Sequence, residues 1–306
     1  MNKNKWIIAL IVIICAIIIG IAEYFINKPE IDINEDILRV YYFDVGQADC
    51  TIIINNGTIM LIDGANEADA NSLVQYMQEN LGIKKLDYVI ATHDDQDHIA
   101  GLDKIVDKME YVGTVYMPQT NKDSKEVQEL ENAVHNKGKN ITVPKINQEF
   151  TVGKAKCVVK SIADATNVSS NKSSIVIEMT YGEKKFLFMG DYEELSDNEK
   201  KNYPEEYSKI GWDKVDVLKV SHHGSINGTT SGFLQAVSPD IAIISAGYND
   251  KLNHPDAEVI DMLKEVNKDM KILITKDENI GTILIESDGI TISEPQFKNL
   301  SLDGNR

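Results

Sequence analysis

The sequence predicts an α/β protein of mixed α+β type, in which two β-sheets pack face to face and helices cover them. Short runs rich in β-forming residues alternate with helical runs over residues 37–293. Some neighbouring runs are joined by tight turn sequences such as Asn55-Asn56-Gly57, whereas others are separated by a helix, so both antiparallel and parallel strand pairs are expected. Because no linker or internal repeat divides the stretch, we expect one domain over residues 37–294.

The individual strands and helices follow from the intervals at which apolar residues recur. Three strands come first, at residues 37–44, 51–55 and 58–63. Later strands are expected at residues 86–92, 114–117, 156–162, 174–181, 185–189, 215–220, 241–245, 271–275 and 282–286. Helices are expected at residues 68–80, from residue 98 onward, and at 124–135, 191–207, 230–237 and 256–267.

The composition is that of a folded protein with an excess of acidic side chains. Of the 306 residues, 42% are hydrophobic and 26% are charged, which excludes a disordered chain and a disulfide-dense small scaffold. The 48 acidic residues outnumber the 31 Lys and Arg residues, so the formal net charge is −17. A general surface for binding polyanions is therefore not expected, and any contact with nucleic acid needs a local basic groove or a metal ion.

The first thirty residues differ from the rest of the chain. After Lys3 and Lys5, residues 6–22 carry no charge, and acidic residues follow them. An apolar run of about 20 residues is long enough to cross a bilayer as a helix, and the preceding lysines place the N-terminus in the cytoplasm. Residues 1–28 therefore predict a membrane anchor with the domain outside the cell, or alternatively a signal sequence whose cleavage would leave the domain secreted. Residues 295–306 are expected to form a C-terminal tail.

Metal-ligating side chains are concentrated at residues 93–98, His-Asp-Asp-Gln-Asp-His, between a predicted strand and a predicted helix. In a tight loop, His93, Asp95 and Asp97 alternate and can turn toward one point. His98 can join them from the first helical turn. Imidazole and carboxylate ligands suit zinc, manganese or iron, and two such ligand sets suit a two-metal site. A helix-capping acidic cluster would explain Asp95 or Asp97 but neither histidine, so a metal site is predicted.

The order of several short motifs resembles that of a known family. Residues 93–98 are similar to the second motif of the metallo-β-lactamase superfamily, with Asp95 in place of the usual second histidine. Together with Phe-Asp-Val-Gly-Gln-Ala-Asp at residues 43–49, this substitution resembles the branch formed by the extracytoplasmic hydrolase domain of the competence protein ComEC and its stand-alone relatives. The other matching motifs are Leu-Ile-Asp-Gly at 61–64, Phe-Met-Gly-Asp at 188–191, Lys-Val-Ser-His-His-Gly-Ser at 219–225 and Asn-His-Pro at 253–255. The resemblance covers residues 37–286.

The resemblance implies a four-layer αββα sandwich and a hydrolase that uses one or two Zn²⁺ or Mn²⁺ ions. The metal ligands that it implies are His93, Asp95, Asp97, His98, Asp191 and His254. Asp191 would bridge two ions, and Asp63 would hold the metal-binding loop by hydrogen bonds without binding metal itself. Asp97 is also expected to orient the attacking hydroxide, and His222 or His223 to protonate the leaving group.

The motifs depart from the family at one ligand position, and they leave open which of two adjacent histidines faces the metals. Where the superfamily has a third-motif histidine the chain has Asn171, and an amide is a weak ligand for zinc. His222 and His223 are adjacent, so in an extended segment they face opposite ways and only one is expected to reach the metals. One alternative is manganese at an oxygen-rich first position that His222 completes. The other is a single zinc held by Asp97, His98, Asp191 and His254.

Metal chemistry and the resemblance together give the expected function. A divalent ion lowers the pKa of bound water from about 15.7 to about 7, which supplies hydroxide at neutral pH. We therefore expect a phosphodiesterase or nuclease acting outside the membrane on a phosphodiester such as DNA. The local basic residues for a nucleic-acid contact are Lys154, Lys156, Lys160, Lys184 and Lys185. The sequence leaves open three alternatives, namely a cell-envelope phosphodiester substrate, a small ester or lactone substrate, and a membrane-anchored binding protein with a degenerate metal site. It also leaves the oligomeric state open.

Overall fold

Two β-sheets lie face to face in the computed structural model, which describes residues 12–16, 31–194, 211–247, 253–277 and 281–298. The strands of these residues are, in chain order, β1 (Leu38–Tyr42), β2 (Thr51–Asn55), β3 (Thr58–Ile62), β4 (Lys85–Ile90), β5 (Tyr111–Tyr116), β6 (Ile141–Thr142), β7 (Glu149–Val152), β8 (Ala155–Ser161), β9 (Val176–Tyr181), β10 (Lys184–Phe188), β11 (Val217–Lys219), β12 (Ile241–Ile244), β13 (Lys271–Ile274), β14 (Thr282–Ser287) and β15 (Gln296–Lys298). One sheet has the order β15-β14-β1-β2-β3-β4-β5-β6, and the other has the order β13-β12-β11-β10-β9-β8-β7.

Helices cover the outer face of each sheet. They are α1 (Ala70–Gln75), α2 (Gln96–Ile99), α3 (Leu102–Lys108), α4 (Lys125–Asn136), α5 (Ser231–Val237) and α6 (Ala257–Val266). A π-helical turn over Tyr76–Asn80 continues α1, and 3-10 turns span Asn171–Ser173, His222–Gly224 and Ile226–Gly228. Leu73, Leu102 and Leu130 pack from α1, α3 and α4 onto the first sheet, and Leu234 and Val259 pack from α5 and α6 onto the second. The predicted sandwich of two sheets covered by helices is therefore confirmed.

Side-chain alternation along β1 shows how both faces of the first sheet are buried. Val40 and Tyr42 belong to the core between the sheets, where they pack with Phe186 and Phe188 of β10. Tyr41 points the opposite way and belongs to the core under the helices. Because all five residues of β1 are buried, the strand is a continuous run of buried residues and does not alternate between buried and exposed positions.

The strand topology brings the predicted site residues to one end of the sandwich. β3, β4 and β5 are parallel neighbours, and so are β10, β11 and β12. The carboxyl ends of parallel strands lie at the same edge of a sheet, which is where such folds place their ligands. Asp63 follows β3, residues 92–98 follow β4, Asp191 follows β10, and His222 and His223 follow β11.

Three predicted segments, at residues 1–28, 191–207 and 295–306, lie partly outside the described residues. The predicted membrane anchor at residues 1–28 lies outside the described residues, apart from residues 12–16. Among the residues that are described, no helix has both the length and the apolar character needed to span a bilayer. The helix predicted at residues 191–207 also lies mostly outside them. Within the expected C-terminal tail, Gln296–Lys298 form β15 and pair with β14.

Candidate metal centre

The loop after β4 is held by Asp63, the residue that follows β3. Asp63 Oδ1 accepts a hydrogen bond from Thr92 N (2.8 Å), and Asp63 Oδ2 accepts from Thr92 Oγ1 (2.8 Å). Asp63 Oδ2 also accepts from His98 Nδ1 (2.8 Å), so the Nε2 atom of His98 is directed away from Asp63. These are the contacts of a side chain that fixes the orientation of a metal ligand.

Three buried side chains, His93, His98 and Asp191, converge beside this loop. His98 Nε2 lies 3.3 Å from Asp191 Oδ1, and His93 Nε2 lies 4.0 Å from Asp191 Oδ2. Asp95 adds a carboxylate oxygen, Oδ2, at 3.6 Å from His93 Nε2. Asp95 is the N-cap residue of α2, but its side chain accepts no hydrogen bond from that helix. Helix capping therefore does not account for the position of this carboxylate.

His223 forms a second set of ligand atoms with Asp97 and His98. Its Nδ1 donates a hydrogen bond to Ser245 O (2.9 Å), which leaves Nε2 to face the cluster. That Nε2 atom lies 3.3 Å from Asp97 Oδ2 and 3.7 Å from Asp191 Oδ2. The Asp191 carboxylate thus contacts residues of both sets, which is the position required of a bridging ligand.

His222 and His223 do not face opposite ways, contrary to the prediction for an extended segment. Both have positive φ angles, 49° and 52°, within the 3-10 turn His222–Gly224. His222 Nε2 lies 3.8 Å from Asp191 Oδ2, and His222 Nδ1 lies 3.2 Å from Glu193 Oε1. The turn therefore brings both rings toward Asp191, with His223 buried and His222 20% exposed at the mouth of the cluster.

His254 and Asn171 lie beside His222 rather than in either ligand set. The ring centroid of His254 is 5.7 Å from that of His222. Asn171 Nδ2 lies 3.4 Å from His222 Nδ1 and 3.4 Å from Glu193 Oε1. Among the described residues, the groups whose ligand atoms can share one ion include His223 but not His254. The structure thus makes His223 a candidate metal ligand at the position that the order of the motifs assigns to His254.

The cluster has both the donor types and the unmet hydrogen bonding of a metal site. Four buried atoms without a hydrogen-bond partner lie within it, namely His93 Nε2, His98 Nε2, His223 Nε2 and Asp191 Oδ1. Each such atom costs about 1–3 kcal/mol when it is left unpaired, so four of them in one place require a common partner. Because imidazole nitrogen and carboxylate oxygen together suit zinc, manganese and iron, these residues fit one or two transition-metal ions.

The charges of the cluster oppose the effect of burial on each pKa. Burial alone would raise the pKa of Asp191, but His98 and His223 outweigh it and hold that pKa well below its usual range. Burial alone would lower the pKa of His98, whereas the carboxylates of Asp191 and Asp63 raise it well above its usual range. The pKa of His223 is raised against burial in the same way, mainly by Asp191. Protons on these imidazoles therefore compete with metal ions for the same nitrogen atoms.

The sequence patterns do not predict a buried ion pair that lies beside the cluster. Lys219 Nζ lies 2.9 Å from Asp49 Oδ2, and both side chains are almost fully buried. Asp49 N donates a hydrogen bond to Asp97 O (3.2 Å), so the pair also supports the metal-binding loop. The available signal was that Asp49 ends the motif at residues 43–49 and Lys219 begins the motif at residues 219–225.

Replacing Lys219 with methionine is expected to lower the free energy of unfolding by about 3–5 kcal/mol, because Asp49 would stay buried without its partner. Chemical denaturation of the metal-free protein measures the loss. The double variant Lys219→Met, Asp49→Asn is expected to recover part of it, since no charge remains buried. Lys214→Met is the control, because the Lys214–Asp240 pair is exposed and contributes about 0–1 kcal/mol. A loss in Lys219→Met no larger than that of the control would contradict the prediction.

Comparison with known proteins identifies the family to which this arrangement belongs. The family model for the Metallo-beta-lactamase superfamily matches residues 43–248, more than half of the chain. The chain belongs to the metallo-beta-lactamase superfamily. It is 34% identical over 202 residues to ComE operon protein 3 from Bacillus subtilis and 28% identical over 232 residues to Recombination protein 2 from Haemophilus influenzae.

These relatives confirm the resemblance of the motifs to ComEC-like competence proteins. The matches cover 66% and 74% of this chain but 25% and 26% of the relatives, so the chain spans about a quarter of their length. The metallo-beta-lactamase fold protein YhfI from Bacillus subtilis has a similar structure, with a TM-score of 0.54 and 13% sequence identity. That similarity covers 83% of this chain and 100% of YhfI and shows the metallo-beta-lactamase fold.

Proposed function

We propose that this member of the metallo-beta-lactamase superfamily is a metal-dependent phosphodiesterase whose reaction centre is the cluster around Asp191. The observation that supports this most strongly is the presence of two overlapping sets of ligand atoms. His93, His98 and Asp191 form one set, and Asp97, His98 and His223 form another. Because Nδ1 of His98 is bonded to Asp63, the one free nitrogen of His98 can serve only one ion. When bound, divalent ions lower the pKa of water and stabilise the attacking and leaving oxygens of phosphoryl transfer. Two neighbouring cation positions therefore favour displacement at phosphorus.

The residues divide between two cation positions. The first position would be held by His93, Asp95 and Asp191, and the second by Asp97, His98, His223 and Asp191. Asp63 would keep His98 in the orientation that directs Nε2 to the second position, since it accepts the hydrogen bond from Nδ1. Distances of 4.0 Å or less from the Asp191 carboxylate to the imidazoles of both positions support the proposal that Asp191 would contact both ions.

Two side chains at the more open part of the cluster would serve the reacting groups. Asp97 is 33% exposed, so one of its oxygens can orient a water molecule while the other faces His223. His222 is 20% exposed, and its Nδ1 atom lies 3.2 Å from Glu193 Oε1. We propose that His222 donates a proton to the leaving oxygen.

The substrate proposal has to account for the distribution of lysines. The lysines named from the sequence pair with carboxylates: Lys154 with Asp36, Lys156 with Glu149, Lys160 with Glu178, Lys184 with Asp216 and Lys185 with Asp213. They therefore do not supply a free basic groove. The resemblance of the motifs to the ComEC-like branch implies DNA as the substrate and action at the outer side of the membrane. The net charge of −17 supports a second candidate, a small phosphodiester of the cell envelope.

The test is hydrolysis of bis-p-nitrophenyl phosphate by the purified full chain loaded with Mn²⁺ or Zn²⁺. Activity is expected with metal and is expected to disappear in His98→Ala, whereas His135→Ala, at an exposed position of α4, should be as active as wild type. Single-stranded DNA at graded salt separates the two substrates, since a nuclease loses activity as salt rises. Metal-loaded protein that hydrolyses neither diester would contradict the proposal, and turnover of an ester or lactone would replace it.

A further inference from the structure

Asp94 belongs to the metal-binding loop, but its carboxylate contacts two other loops. Asp94 is 4% exposed. Thr120 Oγ1 donates a hydrogen bond to Asp94 Oδ2, and Ser170 Oγ donates to Asp94 Oδ1. Thr120 lies in the loop after β5, and Ser170 directly precedes the 3-10 turn Asn171–Ser173. Asp94 therefore ties the metal-binding loop to the loops on either side of it.

Lys122 extends these contacts to a candidate metal ligand. Its Nζ atom donates hydrogen bonds to Asp94 O (2.7 Å) and to Asp95 Oδ1 (2.7 Å). Its backbone N donates to Thr120 Oγ1 (3.0 Å), the same hydroxyl that binds the Asp94 carboxylate. The Thr120 hydroxyl thus fixes where the Lys122 side chain begins, and the ammonium group holds its far end.

The two oxygens of Asp95 consequently have different surroundings. Oδ1 is engaged by Lys122, whereas Oδ2 lies 3.6 Å from His93 Nε2, which has no hydrogen-bond partner. We propose that Thr120 and Lys122 are positioning residues for the first cation position, which hold Asp95 so that Oδ2 alone is offered to the ion. This inference rests on the metal centre of the proposed function.

A positioning role explains features that a simple surface ion pair does not. An exposed Lys–Asp pair contributes about 0–1 kcal/mol and needs no particular backbone support. Here a single ammonium group binds two consecutive residues of the metal-binding loop, and a buried carboxylate anchors its support. Removing a side chain that orients a metal ligand typically lowers metal affinity or activity about 10–100-fold. The first position, with one imidazole and carboxylate oxygens, depends most on such support.

Thr120→Val tests the proposal without changing any charge, and Thr120→Ser is the matched control because it keeps the hydroxyl. We expect Thr120→Val to weaken Mn²⁺ binding at one position about tenfold, measured by calorimetry on metal-free protein, and to leave the other position unchanged. Lys122→Met is expected to change the visible absorption spectrum of the Co²⁺-loaded protein, because Asp95 Oδ1 is released. Lys122→Arg, which keeps a donor, is expected to preserve that spectrum.

Wild-type Mn²⁺ affinities in Thr120→Val together with a wild-type Co²⁺ spectrum in Lys122→Met would overturn the proposal. An equal loss of affinity at both positions, accompanied by a lower melting temperature of the metal-free protein, would overturn it in favour of a general structural role. Metal binding is measured without substrate, so an inactive enzyme with these affinity changes would contradict the proposed phosphodiesterase but not the positioning of Asp95.

Discussion

Asparagine in place of Asp191 is expected to weaken the binding of both metal ions by more than about 100-fold and to abolish phosphodiester hydrolysis. The loss should exceed the 10–100-fold effect of an orienting partner, because Asp191 would itself bind both ions. Its carboxylate oxygens lie 3.3 Å from His98 Nε2, 3.7 Å from His223 Nε2 and 4.0 Å from His93 Nε2. Asparagine has the same shape but no charge, and an amide is a poor ligand for a transition metal.

Metal content after dialysis against Mn²⁺ or Zn²⁺, followed by elemental analysis, measures this effect directly. Asp107→Asn, at an exposed position of α3, makes the same chemical change away from the cluster and should retain wild-type metal content. Circular dichroism of both variants shows whether the sandwich still forms. If folded Asp191→Asn bound two ions as tightly as wild type, Asp191 would not be the bridging ligand.

Alanine in place of His223 is expected to remove the second of the two ions, whereas alanine in place of His254 is expected to leave both bound. The reason is geometric, because His223 Nε2 is buried, lacks a hydrogen-bond partner and lies 3.3 Å from Asp97 Oδ2. Ser245 O holds the opposite ring nitrogen of His223, so the ring is already oriented. His254 Nδ1 is also buried without a hydrogen-bond partner, but among the described residues His254 belongs to no group of ligand atoms that can share one ion, and its ring packs against His222 with centroids 5.7 Å apart.

Calorimetric titration of metal-free protein with Mn²⁺ gives the number of ions bound by each variant. The number is expected to fall by one in His223→Ala and to equal the wild-type value in His254→Ala, with hydrolysis reduced at least about 100-fold only in the former. The opposite pattern, with loss of an ion in His254→Ala alone, would restore the ligand set that the order of the motifs implies. Both replacements remove a histidine from neighbouring loops, so each serves as the control for the other.

Much of the candidate site is predictable because its residues are consecutive. Residues 93–98 bring imidazole and carboxylate groups together between a strand and a helix, and no long-range contact is needed to see that pattern. The strands around it are also predictable, since apolar runs such as the one containing β4 are bounded by turn residues. Short edge strands escaped prediction, as β6 and β7 did, because two to four residues give too little periodicity.

The sequence by itself determined the two-sheet sandwich, the metal-binding loop and the superfamily, because each depends on local patterns and on their order along the chain. Only the tertiary structure decided that His223 joins Asp97 and that Lys219 pairs with Asp49. The first depends on two successive positive φ angles, and the second on the packing of the end of β11 against the loop between β1 and β2 of the other sheet. Neither leaves a local sequence pattern, because both arise from contacts between residues far apart in the chain.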